Sequence, residues 1–385
     1  MTVAGVMSGT SADGIDVALV QIRPKGNGLK LELIGHEAFP FTPVLRKVIL
    51  SAMDAKSTST ADLARLNWRL GQAYVEALRA TVKRHPVNLQ LIGCHGQTIY
   101  HQGATAMYAG RTVACTWQIG EPALLAAELG VPIVSNFRPA DMVAGGQGAP
   151  LVPLLDYVQF ADNKRARVLQ NIGGIGNLTL IPPASGINKL IAFDTGPGNM
   201  VIDALMQQLF QKSYDRSGKI ASRGHVIESV LSATLKHPFF RAKPPKSAGR
   251  EEFGAAFAER LLQLCQEFGG SNEDAITTAT ALTADSITRA FKEFVQPRLK
   301  SNIPVDYIVS GGGAKNKTLM AMLQQRLEPL GCNLLESSDA GIPVDAKEAM
   351  AFALLAYYTW HRRPANVPSA TGAKRPAILG QITHA

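Results

Sequence analysis

The residues best suited to chemistry in this sequence sit in glycine-rich turns beside hydroxyl and carboxylate side chains. Gly9-Thr10-Ser11-Ala12-Asp13-Gly14-Ile15-Asp16 falls between two apolar runs. Small residues let backbone N–H groups approach an anion, Thr10 and Ser11 add hydroxyl donors, and the carboxylates of Asp13 and Asp16 suit Mg2+. An ordinary hairpin turn accounts for the same residues without a ligand. The stretch is not a Walker A loop, which ends in Gly-Lys-Ser/Thr ahead of a helix. A second turn, Asn171-Ile172-Gly173-Gly174-Ile175-Gly176-Asn177, also lies between predicted strands. It is either a tight turn needing positive φ or a second phosphate clamp. In Ser310-Gly311-Gly312-Gly313-Ala314-Lys315-Asn316, three glycines between a strand and a helix would let a flat ligand such as adenosine lie on the backbone.

Two carboxylates stand apart from these turns. In Phe193-Asp194-Thr195-Gly196-Pro197-Gly198-Asn199, Asp194 ends a strand next to a helix N-terminus, which attracts anions. That is a place for a general base beside phosphate, and equally for a capping residue. Glu348 opens the last long helix, where it either reaches a metal or complements the helix dipole. His95, Gln97 and Thr98 end another strand, and Arg138 and Gln147 lie near the expected lobe junction. Polar groups at strand ends near a junction form a substrate wall by default. The other reading of His95 is a hydrogen-bonded structural histidine, and of Gly145-Gly146 a hinge.

The elements that carry these residues follow from apolar pattern. Residues 2–8, 15–22 and 30–36 read as a three-strand meander. Leu63, Leu66, Leu70, Tyr74 and Leu78 recur at helical spacing within 60–84. Strands at 89–94 and 112–118, a helix at 121–129 and a strand at 131–134 complete a first half. The second half repeats the plan, with strands at 166–172, 176–182 and 189–194 and a helix at 198–211. Helical pattern over 224–295, strands at 305–310 and 332–335, and helices at 316–327 and 345–361 follow. Missing this weak internal repeat would misassign the fold.

Bulk properties exclude several classes. A chain of 385 residues suits two domains of roughly 150–200 residues and needs no staples. Its four cysteines form no C-x-x-C pair, so neither a zinc site nor a disulfide framework is expected, and reducing cytoplasm is the expected setting. The first residues read as a strand and not as a signal peptide, and no apolar run is long enough for a membrane span. The net charge of +9 is scattered without aromatic interleaving, which speaks against nucleic acid and for an anionic small molecule.

Taken together, Met7-Ser8-Gly9-Thr10-Ser11-Ala12-Asp13-Gly14-Ile15-Asp16, His95-Gly96-Gln97-Thr98, Gln118-Ile119-Gly120, Gly145 through Pro153, Asn171-Ile172-Gly173-Gly174, Phe193 through Asn199, Lys246 through Glu251, Ser310 through Gly313 and Val367 through Ala373 cover nearly the whole chain in order. The sequence resembles the anhydro-N-acetylmuramic acid kinase family of the actin/hexokinase-like ATPase superfamily. The resemblance implies an α/β fold of two actin/RNase H-like lobes, each a mixed five-stranded sheet with flanking helices, around an interlobe ATP cleft. The lobes are expected at 1–137, with 362–385 packing back on the first, and at 138–361. It implies an ATP- and Mg2+-dependent sugar kinase, cytoplasmic and homodimeric, with a small anhydro sugar as substrate and neither nucleic acid nor membrane as partner. Asp194 is implied as the base that activates water for attack on C1 of the sugar, with O6 then taking the γ-phosphoryl group.

By this resemblance, Gly9 through Asp16 with Gly173, Gly174, Gly311, Gly312 and Gly313 hold ATP. His95, Gln97, Thr98, Arg138 and Gln147 hold the sugar, and Asp13 and Glu348 hold the metal. Glu121, Asn136 and Pro139-Ala140 depart from the family pattern beside the presumed sugar wall. A related levoglucosan kinase and, from another class, an actin-like ATPase with a protein partner are the alternatives.

Overall fold

The computed structural model describes residues 1–9, 11–26, 28–53, 57–336 and 343–385. The chain divides into two compact units, Met1–Gln159 with Asp345–Ala385, and Phe160–Val344. The divisions therefore fall at 159/160 and 344/345, and not at the expected 137/138 and 361/362.

The first unit opens with β1 (Thr2–Ser8), β2 (Gly14–Lys25) and β3 (Gly28–Pro40), then α1 (Pro43–Met53) and α2 (Thr60–Arg84). It continues through β4 (Leu91–Tyr108), β5 (Arg111–Ile119), α3 (Pro122–Leu129), β6 (Ile133–Ser135), α4 (Arg138–Val143) and α5 (Pro153–Phe160). The second unit holds β7 (Ala166–Ile172), β8 (Ile175–Ile181), β9 (Ile191–Pro197) and α6 (Met200–Phe210). A helical run follows: α7 (Glu228–Thr234), α8 (Pro238–Arg241), α9 (Arg250–Phe253), α10 (Ala255–Glu267) and α11 (Asn272–Ala290). β10 (Val305–Ser310), α12 (Lys317–Leu327) and β11 (Cys332–Glu336) complete it. The chain then returns to the first unit as α13 (Lys347–Trp360), α14 (Pro368–Thr371) and β12 (Gln381–Thr383).

Each unit is built on one mixed sheet. The second has the order β11-β10-β7-β8-β9. The first has β6-β4-β1-β2-β3 as the same five-strand plan, extended by β12 beside β6 and by β5 beside β4. In both, a three-strand antiparallel meander is followed by strands that add in parallel on the far side of its first strand. The internal repeat expected from the sequence is present in the topology.

The predicted apolar stripe of α2 is what buries it. Leu66, Leu70, Tyr74 and Leu78 join Ala4, Val6, Val17 and Leu19 of β1 and β2 in one core. Each such side chain contributes roughly 1.5–3 kcal/mol when buried. Ser59 caps the helix by accepting from the Asp62 amide.

α13 has no polar face through its middle: every residue from Ala349 to Thr359 is buried. It packs on β1, β2 and β4. Gly5 and Gly93 are direct partners in the β1–β4 ladder. A Cβ on Gly5 would lie 1.7 Å from the Ala349 carbonyl oxygen, and one on Gly93 would lie 2.2 Å from that of Phe352. Two adjacent glycines thus let the helix backbone rest on the strands, and this contact assigns α13 to the first unit. Among the described residues no helix is long and apolar enough to cross a membrane.

Candidate active site

In the first unit the Gly9 turn is held by its carbonyl. The Gly9 oxygen accepts from the Ala12 amide (3.1 Å) and from Gln97 Nε2 (3.0 Å). The amides of Gly9 and Ser11 donate to no backbone carbonyl among the described residues, so they remain available to an anion. Thr10 lies outside the described residues. Ala12 and Ile15 are buried in the core, so their side chains face away from any ligand. Gly14 starts β2 and lies against the Phe39 carbonyl. Gln97 is fully buried, and neither its Oε1 nor the buried Oε1 of Gln118 has a hydrogen-bond partner among the described residues. Gln118 Nε2 donates to Oγ1 of Thr98 (3.2 Å). Orphaned buried acceptors are rare, and a ligand hydroxyl would satisfy them.

The two expected metal carboxylates have different surroundings. Asp13 is exposed and pairs with Arg46 at 3.2 Å. The carboxylate beside Glu348 is Asp16, whose Oδ1 lies 3.2 Å from His36 Nε2. Crowding by protein atoms pushes the Glu348 carboxyl above its ordinary range, Arg138 and Lys347 pull it back, and the like charge of Asp16 adds to the push. Its side chain still reaches solvent, so the group is crowded and not sealed.

His95 is 3% exposed, and its ring lies 4.6 Å from that of Phe352 on α13, tilted by 43°. Arg138 Nε donates to His95 Nε2 (3.1 Å), so His95 Nδ1 carries the hydrogen and donates to the Gly96 carbonyl (2.7 Å). Burial, reinforced by the Arg138 charge, holds this imidazole neutral, with its pKa pushed down to about 3. His95 is therefore a fixed, uncharged support for Arg138. Arg138 Nη1 donates to the Gly148 carbonyl (2.8 Å), and Gln147 packs beside Gly103 of β4. His95, Arg138 and Glu348 thus come together, Gln97 and Thr98 continue the strand of His95, and Gln147 precedes the Gly148 that Arg138 holds.

In the second unit Asp194 sits on β9, partly buried. Its Oδ2 accepts from the Ala248 amide (2.8 Å) and its own amide donates to the Lys246 carbonyl (3.0 Å). Burial raises its pKa to about 6 against the pull of the Ala248 amide and the Lys246 charge. A carboxylate that titrates near neutrality, with one oxygen anchored and the other without a hydrogen bond among the described residues, has the properties of a general base. The Gly173 carbonyl accepts from the Asn199 amide (2.8 Å), and that of Gly174 accepts from Gly198 (2.9 Å) and Met200 (3.1 Å). As at Gly9, the carbonyls are consumed, and the amides of Gly173 and Gly174 donate to no backbone carbonyl among the described residues. Gly311 has φ +86°, and a Cβ there would meet Asn171 Oδ1 and the Ile172 carbonyl at 2.6 Å. Gly313 lies against Ile172, and Gly312 faces Asn199. The structure therefore brings Gly173, Gly174, Gly311, Gly312 and Gly313 into one cluster around Asn199.

The sequence profile of the anhydro-N-acetylmuramic acid kinase family matches residues 1–385. The chain belongs to the anhydro-N-acetylmuramic acid kinase family. The anhydro-N-acetylmuramic acid kinase of Bacillus cereus (strain AH187) is 45% identical over 387 residues, which is 100% of this chain and 99% of the relative. That of B. cereus (strain G9842) is 46% identical over 386 residues with the same coverage. That of Bacillus anthracis (strain CDC 684 / NRRL 3495) is 45% identical, again over 100% and 99%.

Glu121 and Asn136, expected to depart from the family pattern, have local structural roles. Glu121 caps α3 by accepting from the Ala123 amide (3.1 Å) and also accepts from Asn67 Nδ2 (3.0 Å). Asn136 adopts φ +57°, a conformation asparagine tolerates, and donates to Gln381 on β12. Sequence reasoning left out Asp203, in the first turn of α6, whose pKa burial raises to about 6. It also left out Lys246, whose Nζ donates to the Phe239 carbonyl (3.0 Å) and whose pKa burial lowers to about 8. An aspartate at a helix start and a lysine after a pair of prolines read as ordinary surface residues, and only burial distinguishes them.

Proposed function

We propose that this chain is an ATP-dependent kinase that phosphorylates 1,6-anhydro-N-acetylmuramic acid while water opens the anhydro bridge. The products are N-acetylmuramic acid 6-phosphate and ADP, as cell-wall recycling requires. The observation that carries this reading is the family match over residues 1–385. Asp194 takes a proton from water as the water oxygen bonds to C1, the C1–O6 bond breaks, and O6 accepts the γ-phosphoryl group of ATP. A base of this kind contributes about two to four orders of magnitude to rate. The left-over amides at Gly9, Ser11, Gly173 and Gly174 support phosphate binding, and the Gly311–Gly313 turn supports the nucleoside. His95, Gln97, Thr98, Arg138 and Gln147 are assigned to the sugar, whose hydroxyls would satisfy the orphaned glutamine oxygens.

Mg2+ commonly keeps its waters and takes one or two protein carboxylates with the substrate phosphates. Asp16 and Glu348 fit that sparse set, whereas no group of three or more His, Cys, Asp or Glu is assembled among the described residues. When bound, the ion would offset phosphate charge. A cytoplasmic homodimer completes the reading; light scattering checks the dimer.

The test is ADP release measured against 1,6-anhydro-N-acetylmuramic acid, levoglucosan, N-acetylglucosamine and glucose, with a run in 18O-water. Release with the anhydro-muramic sugar and one 18O at C1 of the product are expected. ADP release independent of sugar, or strongest with levoglucosan, overturns the proposal.

A further inference from the structure

We propose that Asp141 is a positioning residue that fixes the Gly145–Gly148 loop through buried hydrogen bonds and thereby sets Arg138 and Gln147. The inference rests on the assignment of those two side chains to the sugar. Asp141 lies on α4 and is 0% exposed. Its Oδ2 accepts from the Gly148 amide (2.8 Å), and its Oδ1 accepts from Thr371 Oγ1 (2.7 Å) and Asn366 Nδ2 (2.9 Å). All three donors are neutral, and among the described residues no cation pairs with the carboxylate.

The loop hangs on these atoms. Gly146 donates its amide to the Asp141 carbonyl (2.9 Å), Gln147 donates to the Thr371 carbonyl (2.9 Å), and Gly148 donates to the Asp141 carboxylate. Three consecutive amides therefore have partners on Asp141 or on the residue Asp141 holds. The Gly148 carbonyl in turn accepts from Arg138 Nη1, while Arg138 Nε is held by His95. Arg138 is thus fixed at both ends, and one end depends on Asp141. Gly146 has no room for a side chain, since its Cβ would lie 2.2 Å from Asp141 Oδ2. The arrangement also gives a use to the segment around Thr371, which is remote in sequence from Arg138 and Gln147.

The neutral amide of Asp141→Asn cannot accept from Gly148, Thr371 and Asn366 together with the same geometry, so one anchor is lost. Thr371→Val removes one donor more gently. For both variants KM for the anhydro sugar is expected to rise at least about tenfold, with KM for ATP within about twofold of wild type. A second readout needs no turnover. The 15N resonances of His95, assigned by their loss in His95→Gln, report its tautomer and titration. Wild type is expected to stay neutral with Nδ1–H down to pH 5, and Asp141→Asn to titrate nearer the ordinary histidine range as Arg138 loosens. Unchanged sugar KM with unchanged His95 titration overturns the proposal. So does a matched rise in both KM values with a lowered melting temperature, because that is a purely structural role. If the wild-type chain does not turn over the anhydro sugar, the function proposed above fails, and the His95 resonances still decide whether Asp141 sets Arg138.

Discussion

Asp194 is the residue on which rate and stability pull in opposite directions. Its carboxyl titrates at about 6 in the folded chain against an ordinary 3.8. The folded chain binds this proton more tightly than the unfolded one. The stabilisation from this group is therefore complete below about pH 4 and is lost as pH rises through about 6. Above that, ionised Asp194 is a net burden that activity requires. Asp194→Asn is expected to lose turnover at least about a hundredfold. At pH 8 it is expected to gain stability on the order of 1–2 kcal/mol, the full shift being discounted because solvent reaches the group. Steady-state kinetics with urea melts at pH 8 check both, and near-wild-type turnover removes the assigned role. For the wild type, kcat/KM is expected to fall about tenfold per pH unit below about 6, and a flat acid limb would contradict Asp194 as the base. The place of Asp194 on a strand ahead of a helix was legible in the sequence because a strand, one carboxylate and a Gly-Pro-Gly helix entry are all local. The choice between Asp13 and Asp16 was not. Which of them faces Glu348 depends on the register of β2 against β1 and on the seating of a helix more than 300 residues away in sequence.

Among the elements, α13 is the one whose placement decides most. Its N-terminal turn carries Lys347 and Glu348, and Phe352 in its middle carries the ring against His95. Lys347 Nζ lies 2.8 Å from the buried Asp156, which ties the start of the helix to α5. The helix reaches this position because Gly5 and Gly93 give way beneath it. Gly93→Ala would place a Cβ 2.2 Å from the Phe352 carbonyl oxygen, and backbone on both sides leaves no soft partner to yield. The expected cost is about 1–3 kcal/mol from overpacking, together with a rise in the Mg2+ concentration needed for half-maximal activity as Glu348 shifts. Denaturant melts and a Mg2+ titration check this, and an unchanged metal requirement would show that helix seating does not govern Glu348.

Elements with strong periodicity, such as α2 and the two meanders, could be read directly from the chain. α1 could not, because in Pro43–Met53 only Leu45 and Ile49 are buried while Val44 and Val48 are exposed. Hydrophobicity there does not track burial. The length of the β4–β5 hairpin was hidden for a related reason, since Tyr100, Met107, Tyr108 and Trp117 are exposed despite strand-like chemistry.

At the scale of the whole molecule, the repeat of one sheet plan explains why the fold class was readable while the unit boundaries were not. Each unit shows the same meander, but Asp345–Ala385 returns to the first unit through packing that no local signal announces. One global property, the net charge of +9, bears on function without reference to where any side chain points. The proposed sugar carries a carboxylate and ATP is a polyanion, so a cationic chain raises their local concentration. Screening shortens the reach of that field from about 30 Å at 0.01 M salt to about 3 Å at 1 M. KM for the anhydro-muramic sugar is therefore expected to rise several-fold between low and high salt, with kcat nearly constant because bound groups are screened far less. The methyl ester of the same sugar separates the two contributions. It keeps the ring, the bridge and the N-acetyl group but has no charge, so its KM should respond to salt much less than that of the acid. Equal salt responses would mean that the charge acts on ATP alone, and that the sugar is recognised by hydrogen bonds of the kind offered by Gln97 and Gln118 without help from the field of the protein.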